Sequence, residues 1–284
     1  MESDPREGES SEAQLLRDVD AIRARTAPLA PRGHALLQVA YTVFLAAYMG
    51  VFAFAGSNEA GASSFGGLTF VLIFPPLLVS SGLFNGANER FRTRLRDPSR
   101  RPLSLGFFFV VLAALLIWGL AGGRYPWWVA LITAGLTFVS FGIRPLRVVL
   151  RARASTDETL TPQPLPVPAR VTTILIGVYL AAVCATALSL TVASLVMVLG
   201  MVAVIVAVSA QAAPWGLLRT GYEWRVPQWT AFGIAALVMF LLAVLIIATD
   251  IVTPVVAVGA GALVAVCLSG AAFIPGRSRG TSAA

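Results

Sequence analysis

From Val171 to Ala210 the chain runs for forty residues without one charged side chain, a length of about 60 Å as an α-helix at 1.5 Å per residue. A bilayer's hydrocarbon core is about 30 Å thick, so this run predicts two crossings, Val171–Leu190 and Val192–Ala210, folded back near Ser189–Thr191. Six further apolar stretches have spanning length: Leu36–Gly56, Gly67–Phe84, Leu103–Ala121, Pro126–Ile143, Trp229–Thr249 and Ile251–Ile274. They are continuously apolar and lack the two-residue alternation of a barrel wall, so they predict helices. The expected fold class is all-α, a polytopic bundle of eight transmembrane helices. Composition agrees: 57% of the residues are hydrophobic and 12% charged, against about 25% charged in a soluble domain, and the mean hydropathy is +0.80.

The basic residues are distributed as the positive-inside rule requires. All 21 are arginine, and with eight spans and a cytoplasmic N-terminus 20 of them fall on the inner side. The exception is Arg124, which stands beside Tyr125, Trp127 and Trp128 in what reads as an outer interfacial belt. A second aromatic group, Trp215, Tyr222, Trp224 and Trp229, is expected to mark the inner surface. Topology therefore accounts for the net charge of +7, and the anionic inner leaflet is the expected partner of the basic loops. Arginines dispersed over several loops do not form a nucleic-acid footprint, so no nucleic-acid partner is expected. Residues 1–10 are acidic where a signal peptide is basic, which leaves the first span as the expected insertion signal.

The chain divides into a cytoplasmic tail with a short amphipathic helix (1–35), a four-span half (36–153), a connector (154–170), a second four-span half (171–274) and a C-terminal tail (275–284). Pro162, Pro164, Pro166 and Pro168 make the connector extended and stiff. Before it, Arg144, Arg147 and Arg151 share one helical face, predicting a separate interfacial element after the fourth span. Val79-Ser80 recurs as Val208-Ser209 and Val139-Ser140 as Leu268-Ser269, both 129 residues on. At that offset the four spans of each half superpose in sequence, which suggests a parallel 4+4 repeat. In the tail, Ser11 and Gln14 have capping-box spacing, and Leu15, Val19 and Ile22 recur at helical spacing. This helix over residues 11–26 either lies on the membrane surface or docks a cytoplasmic protein partner through those three side chains. The segment Leu15–Pro28, LLRDVDAIRARTAP, followed at once by a membrane span, resembles the start of small uncharacterised multi-pass membrane proteins of high-GC bacteria. That resemblance covers about fifteen residues and implies a bacterial inner (plasma) membrane; it implies no activity and no functional residue.

The usual marker of chemistry inside a membrane is an ionisable residue at mid-depth, because burying its charge costs at least about 2.5–3.5 kcal/mol. No expected span carries one; Glu59, Glu89 and Asp250 stand at ends or in loops. The one histidine, His34, precedes the first span, and Cys184 and Cys267 read as small apolar residues within spans. The expectation is therefore no enzyme, with no catalytic, metal or cofactor site. Packing features are clearer. Gly177, Ala181, Ala185 and Ser189 form one small-residue stripe and Ala257, Gly261, Ala265 and Ser269 another. Such stripes allow close helix approach within the chain or between copies, and a homo-oligomer stays open. Pro75-Pro76 removes two backbone donors in the middle of the second span, so Pro75, Pro76, Ser80 and Ser81 form the candidate edge of a polar cavity. By subtraction the expected function is the membrane-embedded part of a transport or export system that depends on a partner for energy. The alternative is a non-transporting sensor or anchor. A third reading, a lipid-modifying enzyme, requires a pocket joining Arg90–Arg101 to a nucleophile.

Overall fold

A computed structural model of the chain describes residues 31–55, 68–90, 126–151 and 160–279, together with Val110 and Ala114. In order these residues form α1 (Pro31–Ala55), α2 (Leu68–Arg90), α3 (Trp128–Arg151), β1 (Leu160–Gln163), α4 (Val167–Ala185), α5 (Leu190–Ser209), α6 (Leu217–Glu223), α7 (Val226–Ala248), α8 (Pro254–Ala271) and β2 (Gly276–Arg279). Every helix but α6 is long and apolar enough to cross a membrane, seven among the described residues. Of α5's twenty residues, only Ala193 and Val204 are buried. Leu195, Leu199 and Val202 are more than half exposed on it, an apolar surface that a soluble monomer rarely sustains and that lipid solvates. The chain is an integral, multi-pass membrane protein.

At several helix ends threonine side chains bond the terminal backbone groups. Between α4 and α5 neither Gly nor Pro marks the turn. The Thr186 hydroxyl instead donates to the Ala182 carbonyl (2.7 Å), and the Ser189 amide closes back on the Thr186 carbonyl (2.9 Å). The turn thus occupies 186–189, a few residues before the expected position. The α7–α8 break at Thr249-Asp250 is the one expected: the Thr253 side chain caps α8 by accepting from the Val256 amide, and Pro254 occupies its first turn.

Two expectations are corrected. The interfacial element with Arg144, Arg147 and Arg151 is not separate, because α3 runs unbroken from Trp128 to Arg151 through Pro145. At 1.5 Å per residue its 24 residues span about 36 Å, so its last turn, with Arg151, projects beyond a ~30 Å core, and Arg147 and Arg144 lie on the one to two turns before it. Likewise α2 continues past Phe84 to Arg90. The fold is helical in class, as expected, with one short addition: β1 and β2 pair antiparallel, Leu160 opposite Arg279 and Gln163 opposite Gly276. This ribbon ties the proline-rich connector to the segment after α8, and Pro162 is tolerated because each strand keeps an open edge. The expected span Leu103–Ala121 lies outside the described residues except for Val110 and Ala114, which are helical and exposed. Leu15, Val19 and Ile22 also lie outside them.

Contacts fix the relative directions of the helices. His34 meets Asn88 and Tyr41 stacks on Phe84, so α1 and α2 are antiparallel. A side chain at Gly50 would meet Ala134 and one at Gly142 would meet Thr42, so α1 and α3 are antiparallel as well. The small-residue stripes face each other across α4 and α8. A Cβ at Gly261 would lie 2.6 Å from the Ala181 carbonyl oxygen, and one at Gly177 would lie 2.9 Å from the Leu268 Cβ. Gly261→Leu should therefore cost about 1–3 kcal/mol of stability by overpacking. Gly259→Leu, whose Cβ meets nothing within 4 Å, should leave the thermal midpoint in detergent unchanged.

Candidate functional site

Pro75 and Pro76 lie buried inside α2, and without amide hydrogens they leave the Val71 and Leu72 carbonyls without their helical donors. Ser80 is buried on the same helix and Ser81 is exposed. Both hydroxyls donate within the helix, Ser80 to the Leu77 carbonyl and Ser81 to the Leu78 carbonyl, each at 2.8 Å. Ser80 also interacts with the Tyr41 hydroxyl of α1. The prolines and Ser80 thus share the interior side of α2, and Ser81 points away from it. Four elements, α4, α5, α6 and α7, pack against α2. That approach depends on glycine: a Cβ at Gly86 would strike the Leu218 carbonyl of α6, and one at Gly221 the Leu83 carbonyl of α2.

A second group gathers at the end of the bundle where α2 finishes and α4 and α7 begin. Trp224, expected at the surface, is 1% exposed; Trp215 is 46% exposed and remains a surface residue. The Trp224 indole N–H donates to the Thr173 hydroxyl (2.9 Å), and its carbonyl accepts from Arg90 Nη1 (2.8 Å). Gln228 is fully buried at the start of α7. Its Nε2 donates to the Ala271 and Ile274 carbonyls at 2.7 and 3.0 Å, and its Oε1 accepts from the Arg225 amide at 3.1 Å. The Arg170 guanidinium lies 5.2 Å from the centre of the Phe273 ring. Burial pulls the Arg225 guanidinium below its ordinary range, while the nearby Glu223 carboxylate opposes that shift and favours the cation. His34, placed by sequence just before the first span, lies within α1 and pairs through Nε2 with Asn88 Oδ1 (2.8 Å).

Inward from this end runs a groove of about 280 Å³ between α1 and α7. Tyr41, Phe44 and Tyr48 form one wall, with Trp229, Phe232 and Phe240 opposite. Ring contacts continue between the walls, with Phe44 6.2 Å from Phe232 and Tyr48 5.9 Å from Phe240. The Tyr48 hydroxyl donates to the Ala236 carbonyl (2.7 Å), so its polar group is satisfied inside the apolar wall. Pro75, Pro76, Ser80 and Ser81 are not among the residues that line this groove. Among the described residues no cluster of His, Cys, Asp or Glu has the grouping of a metal site.

Sequence reasoning passed over Gln228, Thr173, Gly86 and Gly221. Gly82-x-x-x-Gly86 carries the small-residue spacing that marks the α2–α6 contact, but a single polar residue such as Gln228 has no periodic signal. Replacing Gln228 with Leu keeps the volume roughly constant while removing the side-chain donor of the Ile274 carbonyl and the acceptor of the Arg225 amide, and it leaves the Ala271 carbonyl with the Ile274 amide alone. It should cost about 1–3 kcal/mol, read as a lower thermal midpoint in detergent.

No protein-family model, curated protein or solved structure matches this chain.

Proposed function

We propose that this chain is the membrane-embedded component of a transport or export system in a bacterial plasma membrane, working with a partner that supplies the energy. The carrying observation is the double proline buried inside α2, a helix that packs against α4, α5, α6 and α7. The helix stays continuous through both prolines, and the Val71 and Leu72 carbonyls, left without their helical donors, are the groups offered to a ligand there. The cytoplasmic helix over residues 11–26 is the proposed dock for the partner.

The proposed architecture has eight spans in a 4+4 repeat with both termini cytoplasmic. Since α2 and α3 are each antiparallel to α1, they run parallel to each other, and a crossing between them within 91–127 completes that geometry. For the repeat, helix α1 shifted by 129 residues covers 160–184 and overlaps α4; α3 shifted likewise covers 257–280 and overlaps α8. The antiparallel pairs α1–α3 and α4–α8 are also the two most extensive helix contacts. Shifting Gly50 and Ala134 by the same amount gives 179 and 263, between the Gly177–Leu268 and Ala181–Gly261 approaches. The two pairs thus meet in the same register.

A second reading, a sensor or anchor without transport, draws on the Ser80 and Ser81 hydroxyls being occupied within their own helix. The two readings separate on Pro75→Ala with Pro76→Ala. On the transport reading the double variant stays folded with an equal or higher thermal midpoint, yet loses the phenotype that complements a deletion strain. Full complementation moves the assignment to the anchor. The topology has its own test. Cysteines at Ser63 and Gly123 should react with an impermeant thiol reagent added to intact cells, and one at Ser155 should not; labelling at Ser155 rejects the eight-span arrangement.

A further inference from the structure

The α1–α7 groove has a direction, a length and a charge at one end. On α7, Arg225, Trp229, Gly233 and Leu237 recur every four residues and so form one stripe along the helix. The last three line the groove, and Arg225, the N-cap one turn before Trp229, packs its side chain against Gly276 at that end. The lining runs from residue 37 to 48 on α1 and from 229 to 240 on α7. Eleven residues rise about 16 Å at 1.5 Å per residue, close to half of a ~30 Å hydrocarbon core. The groove is therefore about as long as one leaflet is deep. Its rims are exposed, Val43 to 51% and Leu237 to 55%. At Gly233 an added Cβ meets nothing within 4 Å, so the missing side chain leaves the channel open.

We propose that this groove holds one acyl chain of an anionic phospholipid, whose phosphate is met by Arg225 with Trp229 at the level of the glycerol. The length of the groove matches one chain of one leaflet, and the cation one turn before Trp229 complements the phosphate. Trp at a headgroup boundary is placed as interfacial tryptophans are. The site is independent of the transport reading; only naming the leaflet as the inner one rests on the orientation proposed above.

The test is native mass spectrometry of the purified, delipidated full chain titrated with phosphatidylglycerol or phosphatidylcholine. Wild type should take up one tightly held phosphatidylglycerol and hold phosphatidylcholine more weakly. Gly233→Leu fills the groove without a clash and should weaken phosphatidylglycerol binding at least about tenfold, the equivalent of two methylenes lost from contact. Arg225→Gln should erase the preference between the two lipids; because Arg225 also lies against Gly276, its thermal midpoint is measured alongside. Gly259→Leu, with equal space around it on α8, should bind as wild type does. Equal binding by wild type and Gly233→Leu, equal affinity for the two lipids in wild type, or an equal loss in Gly259→Leu each overturns the proposal. Two other results overturn it by naming a different occupant. A disulfide between cysteines at Gly233 and Ala114 would place the chain's own segment in the groove, and conversion of a dimer to a monomer by Gly233→Leu would place a second copy there.

Discussion

Inside a bilayer no water is available to a backbone N–H or C=O, so each span must close its own hydrogen bonds as a helix. Lipid tails also give helices no hydrophobic reason to associate, and cohesion falls to close packing and to the few polar contacts between helices. Both consequences are visible here. Glycines at 86, 177, 221 and 261 let backbone meet backbone or side-chain base across α2–α6 and α4–α8. The interhelical hydrogen bonds of Trp224, Gln228 and Arg90 gather at one end, where α2, α4, α6, α7 and the segment after α8 converge. Directional bonds concentrate at that end; farther along, close packing dominates and the Tyr48–Ala236 hydrogen bond ties α1 to α7.

What was legible in the sequence follows from the same physics. Long uncharged runs can only be spans, and the Thr253-Pro254 pair marks a helix start because its chemistry is local. The α4–α5 turn was displaced because Thr186 ends its helix with a side-chain bond that threonines inside spans, such as Thr137 and Thr173, also make without ending anything. The buried state of Trp224 was not legible: an indole beside arginines reads as an interfacial anchor until a partner such as Thr173 is seen on another helix. The β1–β2 ribbon escaped for a related reason, since pairing between residues more than a hundred positions apart leaves no local trace. Pro75 and Pro76 are legible as helix-breaking residues, whereas the close approach of α2 to α6 depends on Gly86 and Gly221, which only the assembled fold brings together.

Two features compete as the working part of the molecule, and they differ in kind. The double proline leaves two carbonyls without their helical donors but has its neighbouring hydroxyls already engaged. The α1–α7 groove supplies apolar volume. The two are joined through α1: Tyr41 lines the groove, stacks on Phe84 of α2 at 4.4 Å and interacts with Ser80.

The account depends most on how the helices pair, and paired cysteines in native membranes measure that directly. In a background lacking Cys184 and Cys267, cysteines replacing Gly50 and Ala134 should form an intramolecular disulfide. Cysteines replacing Gly177 and Leu268 should do the same, because Cβ atoms at these pairs lie 3.2 and 2.9 Å apart, within reach of an S–S bond after slight relaxation. The crossed pair, Gly50 with Leu268, should stay reduced. Efficient cross-linking of the crossed pair, with neither matched pair forming, would contradict the helix pairing on which the two-half arrangement stands.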